Sequence, residues 1–233
     1  MYRPIRVFVF HHVSAERDIL VCQKEDWTQL DQFKHNIGEL QKKYHFISLS
    51  EADDKLQQDR FRWKNYAVLT TDDGLASVLN VIPWLEEKQI PLTLFVNSRY
   101  MNGNILKPIH EKWLREFAPD ADTKTIAQKM YLSEKQIWAL NSPLIEVGMH
   151  GHEHEDVWKM DDDDFKTDVQ TCMSKLHGHP RYIPAYAYPW GHSTAESLSY
   201  LRQNEIIPVV VRGGENYTWN GIIDRKCIDN EKF

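Results

Sequence analysis

The sequence is short of the features that mark several protein classes. It has three cysteines in 233 residues, Cys22, Cys172 and Cys227, odd in number, far apart and without a CxxC spacing. That excludes a disulfide framework and a zinc ribbon, and reads as ordinary reduced thiols. No apolar run approaches the roughly 20 residues that span a bilayer, so no membrane span is expected. The opening residues hold no basic region, long apolar stretch and small-residue cleavage site in series, and the sequence predicts a cytoplasmic protein. A dominant charge is lacking too. Twenty-eight Lys plus Arg against 34 Asp plus Glu leave a net charge of −6 with no basic stripe. Nucleic acid is therefore not an expected partner.

What is present is the material of a core. Hydrophobic residues make up 42% of the chain and aromatics 12%, including eight Trp, nine Phe and ten Tyr. This excludes disorder and suits a single globular domain over residues 1–233. Strand-like segments (5–10, 66–71, 91–96, 144–148, 183–187, 206–211) alternate with helix-like ones. Trp27, Leu30, Phe33, Ile37 and Leu40 recur at spacings of three and four, predicting a helix over 26–43. Ser50 is expected to cap a helix running through Leu56. Further helices are predicted over 77–88, 133–140, 162–177 and 194–204. Alternation of this kind implies an α/β layout with a mainly parallel sheet. Six or seven units are fewer than a regular eightfold barrel takes, so a distorted or incomplete (β/α) barrel is expected. Residues 98–131 carry Gly103, Pro108 and Pro119 and exceed an ordinary connection, which suggests an insertion near the site.

Two clusters could carry chemistry. Thr70-Thr71-Asp72-Asp73-Gly74 ends the strand 66–71, at the rim where α/β enzymes place their sites. One Asp could bind a metal while its neighbour stays free as a base, although Asp-Asp-Gly is also ordinary turn chemistry. Glu146-Val147-Gly148-Met149-His150-Gly151-His152-Glu153-His154 places three His within five residues after another strand-like run. No His stands three positions beyond Glu153, so this is not the HExxH zinc-protease helix. His150 and His154 can converge while His152 turns elsewhere. One Asp and two His would make an open triad suited to zinc or a similar divalent ion, able to acidify a water and polarise a carbonyl. The acidic run Asp161–Asp164 reads as the capped and charged start of a helix rather than a second metal site.

In order, TTDDG (70–74), IPLTLFVNS (90–98), VGMHGHEH (147–154) and AYAYPWG (185–191) resemble the polysaccharide deacetylase, or NodB-homology, family of carbohydrate esterases. The opening Phe10-His11-His12-Val13 resembles the Tyr-His-x-Val start of many members. The resemblance implies a distorted (β/α) barrel of about seven strands and a metal-dependent deacetylase. Asp72 matches the family's base, and Asp73, His150 and His154 match its ligands, usually to zinc. Tyr188, Pro189 and Trp190 match the motif in which the residue after Pro offers its backbone N–H to an oxyanion. Trp190 could also stack on a sugar ring, or simply pack in the core.

This sequence departs from the family pattern at four places. Thr71 stands for the usual Phe, and Gly151 for a frequent Ser or Thr. Ala187 occupies the place of the Arg that steadies the base in many members, leaving Arg181, Arg212 and Arg225 as substitutes. No His follows His192, so the late motif that supplies a general acid is missing. His11, His12 and His192 remain as proton donors, and His11 is the choice. The expected activity is removal of an acetyl group from an N-acetylated sugar of a glycan or its precursor. Alternatives are hydrolysis of another amide or an O-acetyl ester, or a carbohydrate-binding relative that has lost catalysis.

Overall fold

A computed structural model describes residues 3–16, 27–58, 62–102, 105–229 and 231. The strands are β1 (Ile5–Phe10), β2 (His12–Ser14), β3 (Trp27–Gln29), β4 (His45–Phe46), β5 (Tyr66–Thr71), β6 (Leu92–Val96), β7 (Ile145–Met149), β8 (Tyr182–Ala187), β9 (Ile207–Val211), β10 (Glu215–Asn216) and β11 (Ile223–Cys227). The α-helices are α1 (Leu30–Lys43), α2 (Leu49–Gln57), α3 (Ile82–Glu87), α4 (Pro108–Phe117), α5 (Thr123–Met130), α6 (Glu134–Ala139), α7 (Asp162–Leu176) and α8 (Ala195–Gln203).

Seven parallel strands close into a barrel in the order β1-β5-β6-β7-β8-β9-β11, with β11 pairing back onto β1. The period of two along each strand divides the core in two. Ile5, Val7, Val68, Phe95, Ala185, Ala187, Val209 and Ile223 pack together as one cluster inside the barrel. Their neighbours Phe8, Phe10, Leu69, Leu94, Val147 and Tyr186 join a second cluster with the helices outside. Gly148 belongs to the inner set. A Cβ there would lie 2.7 Å from the Phe95 ring, so the glycine makes room for that ring inside the barrel. Continuing the inner set past the strand ends brings His11, Asp72 and His150 to the same rim.

Several local expectations shift for physical reasons. Trp27 stands in β3, parallel to β2 with His12 opposite Trp27, and α1 begins only at Leu30. The Gln29 side chain caps α1 by accepting the N–H groups of Asp31 and Gln32. Ser48, not Ser50, caps α2, because the Ser50 hydroxyl donates to the buried carboxylate of Glu146. The segment 77–88 is broken into a short 3-10 turn (Ala76–Asn80) and α3, with Pro83 in the first turn of the helix. Within residues 98–131, described apart from 103 and 104, the chain forms α4 and α5. The acidic run does cap α7: the Asp161 carboxylate accepts the N–H groups of Asp163 and Asp164 at 3.0 and 2.8 Å. Cys22 lies outside the described residues, while Cys172 and Cys227 are free thiols. No helix among the described residues is long and apolar enough to cross a membrane.

Candidate active site

A pocket of about 360 Å3 opens at the C-terminal ends of the barrel strands. Asp72 leaves β5 and is buried. Its two oxygens accept Arg225 Nη1 and Nη2 at 2.6 and 2.7 Å, a bidentate pair inside the barrel. Arg225 also donates to Thr70 Oγ1 at 3.1 Å, and its guanidinium lies 5.2 Å from the Phe95 ring centre. Burial pushes the Asp72 carboxyl up, but Arg225, with help from His150, outweighs it and holds the pKa at about 2. Asp72 is thus an ionised carboxylate at neutral pH. Of the three arginines open to the role, Arg225 is the one against Asp72. Arg181 instead donates to the carbonyls of Ile145 and Pro143, and Arg212 to Ser193 Oγ.

Asp73, next in sequence, turns the other way, because its backbone adopts a left-handed φ of 74° followed by Gly74 at 63°. Its Oδ1 faces His154 Nε2 at 3.1 Å and His150 Nε2 at 3.5 Å. Oxygen and nitrogen donors of Asp73, His150 and His154 lie within 4.8 Å of one another. His150 Nδ1 donates to the Ala187 carbonyl at 2.8 Å, which fixes the tautomer and leaves the Nε2 lone pair toward the pocket. One carboxylate and two imidazoles, one of them already oriented by its bond to the Ala187 carbonyl, fit a divalent ion with open positions. His152 is elsewhere, its Nδ1 bonded to the Ser98 hydroxyl at 2.7 Å.

His154 has a φ of 59° and Trp190 one of 63°, so three non-glycine residues of this rim carry left-handed backbone, the kind of cost that concentrates at functional sites. Trp190 is 50% exposed, its ring 5.5 Å from that of His154, which places it on the pocket wall and not in the core. Pro189 is buried in the same turn. Tyr188 borders the pocket, but its ring stacks toward Phe165 and its hydroxyl donates to Ser197 Oγ at 3.0 Å.

His11 and His12 both line the pocket and His192 does not. His192 stacks on Trp158 with ring centres 3.5 Å apart and pairs with Asp156. His11 Nδ1 is 2.6 Å from Asp229 Oδ2. Burial opposes the charge on His11, yet the Asp229 carboxylate outweighs it and raises the pKa well above 6.5.

Sequence reasoning did not single out Lys107 or Asp229. Lys107, just before α4, is 2% exposed, and its ammonium contacts Asp73 Oδ1. Burial lowers the Lys107 pKa while Asp73 opposes that, and burial together with the lysine cation pushes His154 down to about 3. His110 and Met130 reach the same wall, so 98–131 contributes directly to the pocket. No periodic signal marks Lys107. Asp229 follows a strand whose alternation is polar.

Residues 62–209 match the sequence profile of the polysaccharide deacetylases. A comparison with curated proteins finds no match. Among solved structures, the fold is similar to the Streptococcus pyogenes deacetylase PplD in complex with acetate, at 19% identity and a TM-score of 0.76 over 100% of this chain and 96% of that one. IcaB from Ammonifex degensii is similar at 18% identity and a TM-score of 0.74, over 98% and 93% of the two chains. A de-N-acetylase from Aggregatibacter actinomycetemcomitans is similar at 17% identity and a TM-score of 0.71, over 99% and 97%. At these identities the structures speak for the fold, and it is the profile match over more than half its length that makes this chain a member of the polysaccharide deacetylase family.

Proposed function

We propose that the chain is a metal-dependent hydrolase that removes an acetyl group from an N-acetylated sugar of a glycan or glycan precursor. The observation that carries the reading is the pairing of an ionised, arginine-held Asp72 with the adjoining Asp73–His150–His154 donor set in one pocket. Asp73, His150 and His154 would hold the ion, a donor set that suits zinc, and the bound ion would acidify a water and polarise the acetyl carbonyl. Asp72 takes the proton from the attacking water as general base. The Trp190 backbone N–H supports the developing oxyanion, and its exposed ring offers a face to a pyranose. His11, held by Asp229 in the protonated form, gives its proton to the departing amine.

That last step favours an amide over an O-acetyl ester. An alkoxide can leave with less help, whereas a sugar amine leaves only with a proton. Arg225 also supplies what Ala187 lacks, which supports an active enzyme over a binding relative.

The test is elemental mass spectrometry of bound metal in the wild type and in His154→Ala. About one divalent ion per chain, lost in the variant, supports the triad and leads to a screen for acetate release from N-acetylated sugars. No metal after zinc supplementation would sink the mechanism.

A further inference from the structure

A second cluster of metal-binding atoms lies on the opposite wall of the pocket. β1 and β11 are parallel neighbours with Val9 opposite Cys227. Ile228 N–H donates to the Val9 carbonyl at 2.9 Å and His11 N–H to Asp229 Oδ1 at 3.0 Å, so the two segments stay side by side beyond the strands. His11 Nδ1 and Cys227 Sγ then converge on one oxygen, Asp229 Oδ2, at 2.6 and 3.2 Å. The three donor groups lie within 4.8 Å of one another, and Cys227 is exposed on the pocket side.

We propose that His11, Cys227 and Asp229 form a second divalent-metal site, selective for a thiophilic ion such as zinc, whose occupation inhibits the enzyme. Zinc bonds of about 2.0–2.3 Å at tetrahedral angles put neighbouring donors roughly 3.3–3.8 Å apart. The Cys227–Asp229 separation is already close to that, and the His11–Asp229 contact opens by roughly 1 Å to reach it. Binding releases the protons of His11 Nδ1 and Cys227 Sγ to solvent, and the ion takes their place against the Asp229 carboxylate. The sulfur distinguishes this site from the Asp73–His150–His154 set, whose donors are nitrogen and oxygen only. A His11 ring held by metal can no longer pick up and deliver a proton. The inhibition rests on the acid role proposed for His11; the binding does not.

Cobalt(II) titration of the reduced protein separates the two. Wild type is expected to bind two equivalents, with a sulfur-to-cobalt charge-transfer band growing in with the weaker one. Cys227→Ser should lose the band and weaken that second ion roughly tenfold or more, since even an outer-shell partner is worth as much. His154→Ala should keep the band while losing the other equivalent. Absence of the band in wild type at excess cobalt, or its survival in Cys227→Ser, overturns the site. Zinc added beyond one equivalent should suppress acetate release in wild type but not in Cys227→Ser relative to its own one-equivalent rate. A band without that suppression leaves the metal site standing and removes its inhibitory role.

Discussion

Arg225 grips Asp72 with two parallel hydrogen bonds of 2.6 and 2.7 Å across the barrel interior, from strands that are 153 positions apart in the chain. The pair does two jobs. It aims the carboxylate at the pocket, and it lets a charge exist where burial would otherwise neutralise it. Arg225→Lys keeps the charge but not the fork, and is expected to lower kcat for acetate release about ten- to hundredfold. Arg225→Met leaves a buried carboxylate unpaired and should cost about 3–5 kcal/mol at neutral pH in a denaturant titration. The pH dependence has a definite sign. Because the Asp72 pKa is depressed to about 2, wild type loses this stabilisation as pH falls from the ordinary carboxylate range toward that value. The variant lacks that loss, so the gap between the two narrows in acid.

Replacing Asp72 by Asn tests the proposed base role while leaving Asp73, His150 and His154 in place. Acetate release should fall by about 10²- to 10⁴-fold while bound metal stays at the wild-type level. Normal turnover in Asp72→Asn would take the residue out of the base role.

The Asp229 carboxylate is what keeps His11 protonated against burial. In Asp229→Asn the burial effect remains and the compensation goes, so the His11 pKa drops. The basic limb of the kcat/KM profile should therefore move to lower pH, with the acidic limb in place. A profile that loses height without moving would leave Asp229 as a purely structural partner.

Lys107 presses a cation against the same Asp73 oxygen that faces His154. Two unit charges about 4 Å apart at an effective dielectric of about 20 repel by about 4 kcal/mol, so a metal ion bound by Asp73 feels this lysine strongly. Lys107→Met is expected to tighten zinc binding by roughly tenfold or more, read by competition with a chromophoric chelator. Weaker binding would instead mean that Lys107 orients Asp73 for the ion.

The two aspartates and two histidines that meet in the pocket were legible because each pair is close in sequence and sits just past an apolar strand. Asp72-Asp73 follows YAVLTT, and His150 to His154 follow IEVGM. The closing strand was not legible for the opposite reason. In IDRKC the inward residues are Ile223, Arg225 and Cys227, so no hydrophobic alternation announces a strand, and the burial of Arg225 exists only once the barrel shuts. Lys107 is similar, a single lysine before Pro108 whose partner lies 34 residues away. Trp27 extends the helical spacing of its segment by one turn, and periodicity alone cannot separate a strand residue there from a helical one. Ser48 and Ser50 are equally good caps by sequence, and the tertiary partner Glu146 decides between them.

Gly151 departs from the Ser or Thr expected at its position, and its surroundings account for it. Its φ is 75°, and a Cβ there would lie 2.8 Å from Asp168 Oδ2 and 3.2 Å from the Tyr186 hydroxyl. Asp168 cannot easily retreat, because its two oxygens accept the N–H groups of His152 and Glu153 at 2.8 Å each. These bonds shape the loop between His150 and His154. Gly151→Ser should therefore cost about 1–3 kcal/mol from the left-handed backbone alone. Displacing Asp168 would also loosen the His154 turn, so metal affinity should weaken together with the denaturation midpoint. An unchanged midpoint with weakened metal would place the strain in the loop rather than the fold. If both stay unchanged, Asp168 is not what sets the path of this loop.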